Sequence, residues 1–244
     1  MRQIKRDLKK VADEEKAKIL QGFFKTGPGQ YGEGDVFLGV SVPNIRKVAK
    51  GAVERLSLND VKKLLSSKVH EKRLVALLIL IEKYKKLRFS EFRDSGFRGF
   101  GGQKEVYDFY LENAKGVNNW DLVDLSAPNI VGDYLLERKD RKILYRLAKS
   151  DNLWEKRIAI VSTFAFIRDG QFSDTLKISK ILLKDKHDLI HKAVGWMLRE
   201  VGKRDEKLLK KFLRDNYSGI PRTTLRYAIE RFEEGERLGF LREE

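Results

Sequence analysis

The sequence predicts an all-α fold, on the basis of its composition and its apolar periodicity. Charged residues make up 36% of the 244 residues and only 4 prolines occur, a balance that favours helices. Apolar residues recur at i, i+3, i+4 and i+7 along most of the chain, and no segment alternates convincingly as a β-strand would. The predicted helices cover residues 3–25, 43–54, 58–66, 70–87, 103–115, 139–149, 153–168, 173–184, 188–202, 204–214 and 221–234. Glycine-rich turns are expected at 27–34 and 95–102.

A repeated pattern in four of these helices predicts a particular all-α architecture. The segments that start at Val69, Leu153, Leu189 and Gly219 fit one template. Its fourth place is basic, in Lys72, Lys156, Lys192 and Arg222, and its ninth place is a large residue of the type found in cores, in Leu77, Val161, Met197 and Tyr227. Helical hairpins repeated every ~30 to 47 residues are typical of HEAT-like α-solenoids. We therefore expect one domain over residues 1–244, a HEAT-like-repeat superhelix with a basic concave groove.

The charge balance predicts a polyanionic partner. The chain carries 51 Lys plus Arg against 36 Asp plus Glu, a formal charge of +15. It has no cysteine, which excludes disulfides and cysteine nucleophiles and favours a reducing compartment, so a cytoplasmic protein is expected. The longest apolar run, Leu74 to Ile81, is far shorter than the ~20 residues that cross a bilayer, and the N-terminus lacks the apolar core of an export signal. We expect no membrane association, and we expect a monomer.

The helix predicted from Asp188 to Gly202 combines an apolar stripe with a cationic stripe. Successive residues are about 100° apart around a helix, so one side holds Ile190, Val194, Met197 and Val201. The opposite side holds Lys192, Trp196, Arg199 and Lys203. Two interpretations of Trp196 are open: a neighbouring helix covers the indole, or the indole is an exposed platform. The other template helices do not repeat a tryptophan at this position, which favours a platform suited to a nucleic-acid backbone.

Two further segments carry candidate functional residues. Trp120 and Asp124 are four residues apart and share one side of a helix, although a core tryptophan with a surface carboxylate is the alternative. Arg157 lies on a helix that is apolar nearly all round, so it needs an acidic partner. A structural role for Arg157 is equally open, because Arg73 occupies the equivalent place in its own helix. Pairing of Arg157 with Asp124 fits both roles.

Two other features predict no chemistry. His70, His187 and His191 are interpreted as solvated helix residues, since no carboxylate or third histidine completes a zinc site. The glycine-rich segments lack the Gly-Lys-Ser/Thr ending of a phosphate loop and are interpreted as turns. The sequence therefore predicts neither a metal nor a cofactor.

Taken together, four features of the chain resemble the alkylpurine DNA glycosylases of the AlkD type. They are Phe37-Leu38-Gly39-Val40 running into Pro43, Trp120-x-x-x-Asp124, Arg157 on its apolar helix, and Gly195-Trp196-x-x-Arg199. The resemblance spans roughly residues 30 to 235. It implies a HEAT-like-repeat solenoid that removes 7-methylguanine and 3-methyladenine from duplex DNA. It also implies Asp124 as the catalytic carboxylate, Trp120 and Trp196 as aromatic walls, Arg157 as the cation that orients Asp124, and Arg199 as a DNA backbone contact.

The chemistry implied by this resemblance needs few groups. A purine alkylated at N7 or N3 is already cationic, so it can leave without protonation, and one carboxylate suffices where ordinary glycosidases use two. We expect a monofunctional N-glycosylase of base excision repair without lyase activity. Its partner would be duplex DNA with alkylated bases, contacted by Arg199, Lys192, Lys156 and Lys203. The chain has Val40-Ser41-Val42 before Pro43, without the longer polar pair that some relatives use against the opposite strand.

Two other functions are compatible with the charge. One is a non-catalytic HEAT-repeat protein that binds nucleic acid, and the other is a protein scaffold with an acidic partner. Only the set of Trp120, Asp124, Arg157 and Trp196 favours the enzyme over both.

Overall fold

A computed structural model of the protein describes residues 1–90 and 102–242. These residues form sixteen α-helical segments and no strand; the only β pairing among them is an isolated parallel bridge between Val36 and Val69. The helices are α1 (Arg2–Lys10), α2 (Glu14–Phe23), α3 (Val42–Lys50), α4 (Leu58–Leu65), α5 (His70–Ser90), α6 (Gln103–Glu112), α7 (Trp120–Ala127), α8 (Asp133–Leu135), α9 (Lys142–Ala148), α10 (Leu153–Ser162), α11 (Phe164–Arg168), α12 (Ser173–Leu182), α13 (Asp188–Gly202), α14 (Glu206–Asp215), α15 (Arg222–Ala228) and α16 (Glu234–Arg242). The predicted all-α fold is confirmed. No helix in the described ranges has the length and apolarity needed to span a bilayer.

Three of the predicted helices end or begin at other residues than expected. The helix predicted over 3–25 is two helices, because Asp13 is extended and its side chain accepts a hydrogen bond from Lys16 N, which starts α2 afresh. The helix predicted over 153–168 is interrupted at Thr163, between α10 and α11. The helix predicted over 221–234 ends at Ala228, as α15, and a separate helix, α16, begins at Glu234. Apart from Gly102, the glycine-rich turn predicted at 95–102 lies outside the described residues.

The chain forms two compact units, Met1–Leu122 and Val123–Glu244, and the boundary between them falls within α7. In the first unit, α3, α4 and α6 pack against α5. Helix α5 is buried nearly all round; Val75, Leu77 and Ile79 are fully buried. Burial of each such side chain contributes about 1.5–3 kcal/mol, so α5 is the main source of core area in this unit.

In the second unit, α13 packs against α10, α12, α14 and α15. The apolar stripe predicted on α13 is confirmed, since none of its members is more than 1% exposed: Ile190, Val194, Met197 and Val201. Gly195 lets α15 approach closely, because a Cβ at this position would lie 2.5 Å from the Tyr227 Cβ and 2.7 Å from the Thr224 carbonyl oxygen. This close packing fixes α13 against its neighbours and thereby orients its opposite, cationic side.

The repeat template holds in part. Its four segments are helical, in α5, α10, α13 and α15, and three of the four ninth-place residues are fully buried. Tyr227 is the exception and is 36% exposed, because it lines a cavity rather than a core. The single domain and the solenoid with a concave groove stay predictions.

Candidate active site and nucleic-acid interface

In the second unit, Asp124 and Arg157 form a bidentate ion pair. Arg157 Nε donates to Asp124 Oδ1 at 2.9 Å and Arg157 Nη2 donates to Asp124 Oδ2 at 2.8 Å. The third nitrogen, Nη1, donates to the Leu189 carbonyl oxygen at 2.5 Å. A planar guanidinium that matches both carboxylate oxygens is the strongest geometry for such a pair. One arginine on α10 therefore holds the carboxylate of α7 and the first turn of α13 in a fixed arrangement.

The two partners differ in how much of each reaches the surface. The Arg157 side chain is 6% exposed, whereas the Asp124 side chain is 20% exposed. Asp124 is thus an oriented carboxylate that a water or a developing positive charge can still approach.

Trp196, on α13, is half-buried and contacts one neighbouring ring. Its ring centroid lies 5.7 Å from that of Phe164 on α11, with the planes at 41°. The guanidinium of Arg168 lies over the Phe164 ring, 5.3 Å from its centroid. Both interpretations of the indole therefore apply in part, because α11 covers some of Trp196 and the remainder is open to solvent. Phe164 and Arg168 were missed by the sequence analysis, since a Phe in a largely apolar segment gives no local signal of this contact.

The four cations predicted to bind DNA all have carboxylate partners in this structure. Lys156 pairs with Asp185 at 2.5 Å, Lys192 with Asp188 at 2.7 Å, and Lys203 with Glu200 at 2.6 Å, while Arg199 pairs with Glu230. The side chains of Lys192 and Lys203 are each 40% exposed, and those of Lys156 and Arg199 are each 19% exposed. Two of the four, Lys192 and Lys203, are therefore the more accessible to solvent.

In the first unit, Trp120 ends a column of stacked aromatic rings. The indole is stacked on Phe24 at 5.2 Å, Phe24 on Phe37 at 4.9 Å, and Phe37 on His70 at 4.5 Å. The ring of Phe23, which is 63% exposed, meets Trp120 edge-on at 6.0 Å. The column holds the half-buried indole at the start of α7, four residues before Asp124.

The prediction that His70 is solvated is wrong. His70 is 2% exposed, and its Nε2 is hydrogen-bonded to Asp121 Oδ2 at 2.8 Å while its Nδ1 lies 3.6 Å from Asp35 Oδ2. Burial lowers the pKa of His70, but the hydrogen bonds with Asp121 and Asp35 outweigh burial and raise that pKa above its ordinary value. Burial raises the pKa of Asp35, and the hydrogen bond with His70 and the charge of Arg73 more than reverse that effect. The residues around His70 in the sequence do not indicate its partners, because Asp35 and Asp121 lie 35 and 51 positions away.

The other two histidines are half-buried at the start of α13. His187 caps this helix by accepting a hydrogen bond from Leu189 N, and His191 Nε2 is hydrogen-bonded to the Asp185 carbonyl oxygen. Burial lowers the pKa of His187 despite the neighbouring carboxylates. Across residues 1–90 and 102–242, no three carboxylate or imidazole groups are grouped as ligands of a metal ion.

The segment Phe37–Val40 wraps around a buried carboxylate. Oε1 of Glu71, a side chain that is 1% exposed, accepts the backbone N–H groups of Leu38, Gly39 and Val40 at 2.8, 2.9 and 3.3 Å. Gly39 has φ +75°, and a Cβ there would lie 2.0 Å from the Asp13 carbonyl oxygen, so only glycine fits. Successive N–H groups form a nest for an anion, and Glu71 fills it. The motif therefore has a structural function in the first unit.

Comparisons with known proteins agree with this all-α architecture. A solved structure described as a predicted DNA alkylation repair enzyme from Enterococcus faecalis has a similar fold, with a TM-score of 0.66 over 91% of this chain and 97% of that chain at 14% sequence identity. Among the curated proteins no match is found. The family model described as DNA alkylation repair enzyme matches residues 4–232, which is nearly the whole chain. The chain therefore belongs to the family of DNA alkylation repair enzymes.

Proposed function

We propose that this protein is a DNA glycosylase that excises cationic alkylated purines, such as 7-methylguanine and 3-methyladenine, from duplex DNA. The family supports a role in the repair of alkylated DNA. The observation that carries the finer proposal is the Asp124–Arg157 pair, in which an oriented carboxylate keeps 20% of its side chain exposed.

The proposed reaction is hydrolysis of the N-glycosidic bond. The bond between C1′ and the purine nitrogen breaks, and its electron pair stays with the purine, which becomes neutral. The sugar is left with oxocarbenium-like positive charge, which the Asp124 carboxylate stabilises. Water then adds to C1′ and gives its proton to Asp124 as the base, so the products are a free purine and an abasic site. No step requires a metal, a cofactor or a lyase activity.

Arg157 acts in this proposal through Asp124. Its guanidinium directs both oxygens of the carboxylate, while the Leu189 carbonyl oxygen keeps the guanidinium in place. Asp124 can therefore offer a fixed negative charge without rotating when positive charge develops on the sugar.

Trp120 and Trp196 are proposed as aromatic walls that face the cationic nucleotide. A ring face stabilises a nearby cation by about 0.5–2 kcal/mol. The aromatic column under Trp120 and the Phe164 contact of Trp196 support the proposal because they restrict each indole while leaving it half-buried. The walls lower the barrier less than the carboxylate does.

Arg199, Lys192, Lys156 and Lys203 are proposed as contacts to the DNA backbone, in a HEAT-like-repeat groove. Each would exchange a carboxylate partner for a phosphate on binding. Lys192 and Lys203 are expected to contribute most, since their side chains are more exposed than those of Lys156 and Arg199.

The decisive experiment is Asp124→Asn, assayed by single-turnover release of 7-methylguanine from methylated duplex DNA. We expect the release rate to fall on the order of 10²- to 10³-fold, because a neutral amide cannot stabilise the sugar cation. The affinity for undamaged duplex should stay largely intact. The matched control is Asp174→Asn, which alters another arginine-paired aspartate of the second unit, 18% exposed and 2.8 Å from Arg141. That control should release the base at the wild-type rate.

A non-catalytic nucleic-acid binder is the second candidate, and the positive charge favours it equally. It makes the opposite prediction in the same assay. Duplex binding without base release by the wild type, or equal release by Asp124→Asn and the wild type, would leave the binder as the better explanation.

A further inference from the structure

A second group of cations lines a cavity in the second unit, and neither Asp124 nor Arg157 is part of its lining. The cavity has a volume of about 630 Å³ and is bounded by residues of α13, α15 and α16 together with the residues directly after α15. Four cationic side chains line it, against two carboxylates: Lys192, Arg222, Arg226 and Arg237, with Asp188 and Glu230.

Both carboxylates already have cationic partners. Asp188 pairs with Lys192 at 2.7 Å and accepts a hydrogen bond from the Thr223 hydroxyl at 3.2 Å, and Glu230 pairs with Arg199. The hydrogen bond from Lys192 keeps the pKa of Asp188 below its ordinary value. The negative charge in the lining is therefore compensated without Arg226 or Arg237.

Two guanidinium groups in this lining remain without a partner. Arg222 donates to the Leu241 carbonyl oxygen at 2.6 Å. Within residues 1–90 and 102–242, neither Arg226 nor Arg237 has a side-chain hydrogen bond or an ion pair, and both residues are exposed. Two planar cations facing one cavity form a site for a tetrahedral oxyanion, because each fork can donate two hydrogen bonds to it.

We infer that this cavity binds a phosphate group of the DNA backbone, held between the guanidinium groups of Arg226 and Arg237. The cavity also has room for a sugar beside the phosphate, and Tyr227, which is 36% exposed, provides apolar surface for it. The four paired cations must first give up a carboxylate, whereas Arg226 and Arg237 are available at once.

The α16 wall of this cavity lies outside the part of the chain that the family model matches. That match ends at residue 232, and Arg237 and Leu241 follow it. The phosphate site thus combines α15, which lies within the matched range, with α16, which follows it. It deepens the proposed function, on which it rests, by identifying a specific DNA contact.

The test compares Arg226→Gln/Arg237→Gln with the wild type in binding to undamaged duplex DNA between about 50 and 200 mM salt. Loss of one neutralised phosphate should reduce the slope of log K against log salt by about one unit and weaken binding about tenfold at ~0.1 M salt. Binding of undamaged duplex does not depend on base release, so this result is independent of the proposed chemistry.

Three companion measurements make the result specific. Arg214→Gln removes an exposed arginine of α14 that does not line the cavity, and it should leave the slope unchanged. Arg226→Lys/Arg237→Lys keeps the charge and should retain most of the affinity. Inorganic phosphate, added at constant ionic strength, should compete with duplex for the wild type but not for the double glutamine variant.

The outcomes separate the two proposals. A wild-type slope in a folded double glutamine variant, with base release intact, would overturn the phosphate site and leave the glycosylase proposal standing. Loss of slope together with no base release by any variant would support the phosphate site and reject the glycosylase. Phosphate binding that the double glutamine variant loses, with the duplex affinity and the salt slope of that variant unchanged, would assign the cavity to a free phosphate compound and overturn the DNA contact.

Discussion

The two units each contain a buried arginine–aspartate pair at the same place of the repeat template, yet the two pairs are built differently. In the first unit Arg73 meets Asp35 through one nitrogen at 2.5 Å, and the side chains are 3% and 5% exposed. In the second unit Arg157 meets both oxygens of Asp124, and the side chains are 6% and 20% exposed. Each arginine also donates to a backbone carbonyl oxygen, that of Ser67 or that of Leu189.

The difference shows that the same local pattern can produce a closed pair or an accessible one. Arg73, His70 and Asn119 surround Oδ2 of Asp35, whose side chain is only 5% exposed, so this carboxylate serves to hold the first unit together. Asp124 pairs with Arg157 of α10 and keeps 20% of its side chain exposed. A closed pair can contribute only to the structure of its unit, whereas an accessible carboxylate can also meet a substrate.

The largest expected effect is on the free energy of unfolding, when the arginine of each pair is replaced by an apolar residue. Arg73→Met should lower the free energy of unfolding by about 3–5 kcal/mol, because it leaves Asp35 charged and buried. Arg157→Met should cost less, about 1.5–3 kcal/mol, since water can reach Asp124. Urea denaturation of both variants measures the two losses. Equal losses would mean that the exposure of Asp124 does not separate the pairs.

A smaller effect is expected on the rate of base release, which should depend on Arg157 but not on Arg73. Arg157→Lys keeps the charge but cannot donate to both oxygens and to the Leu189 carbonyl oxygen, so base release should slow about 10- to 100-fold, the equivalent of about 1.5–3 kcal/mol. Arg73→Lys is the matched control and should lower thermal stability while leaving single-turnover release near the wild-type rate. A slow Arg73→Lys variant would indicate that the closed pair also acts on the reaction.

The smallest expected effect is on pH dependence, where the two units should respond in opposite directions. The raised pKa of His70 gives stability that is present below about pH 6.5, the ordinary histidine value, and is lost as pH rises through the folded pKa. The lowered pKa of His187 gives stability that is present above about pH 6.5 and is lost as pH falls through its folded pKa. Unfolding free energies measured across this range should lose the first trend in His70→Gln and the second in His187→Gln. If both variants showed the same dependence of unfolding free energy on pH, the assignment of the two trends to His70 and His187 would be wrong.

Some of this arrangement was predictable from residues alone. A guanidinium on an apolar helix must find an acid, and Asp124 was the candidate that the sequence offered for Arg157. The apolar stripe of α13 followed from its spacing in the same way, because helical periodicity is a local property. His70 shows the opposite case, since its partners Asp35 and Asp121 lie in other parts of the chain and nothing in its own helix indicates them.

The cations show that a charge pattern in the sequence does not reveal which basic residues are already paired with a carboxylate. Lys156 and Arg199 carry the expected charge, but each is largely engaged by a carboxylate from another element. Arg226 and Arg237 have no such partner among the described residues, and one of them lies on a helix that the periodicity analysis did not extend to. Tyr227 occupies a core place in the template and lines a cavity instead.

The sequence by itself determined the helical class, the apolar faces and the need of Arg157 for an acid, because each depends on residues within a few turns of one helix. Only the tertiary structure decided that Asp124 stays accessible while Asp35 is closed in. It also decided that Arg226 and Arg237 have no carboxylate partner in the part of the chain that the structure describes. Exposure and pairing are set by contacts between residues that are about 30 or more positions apart, such as the 33 that separate Arg157 from Asp124. Such contacts exist only once the helices have packed.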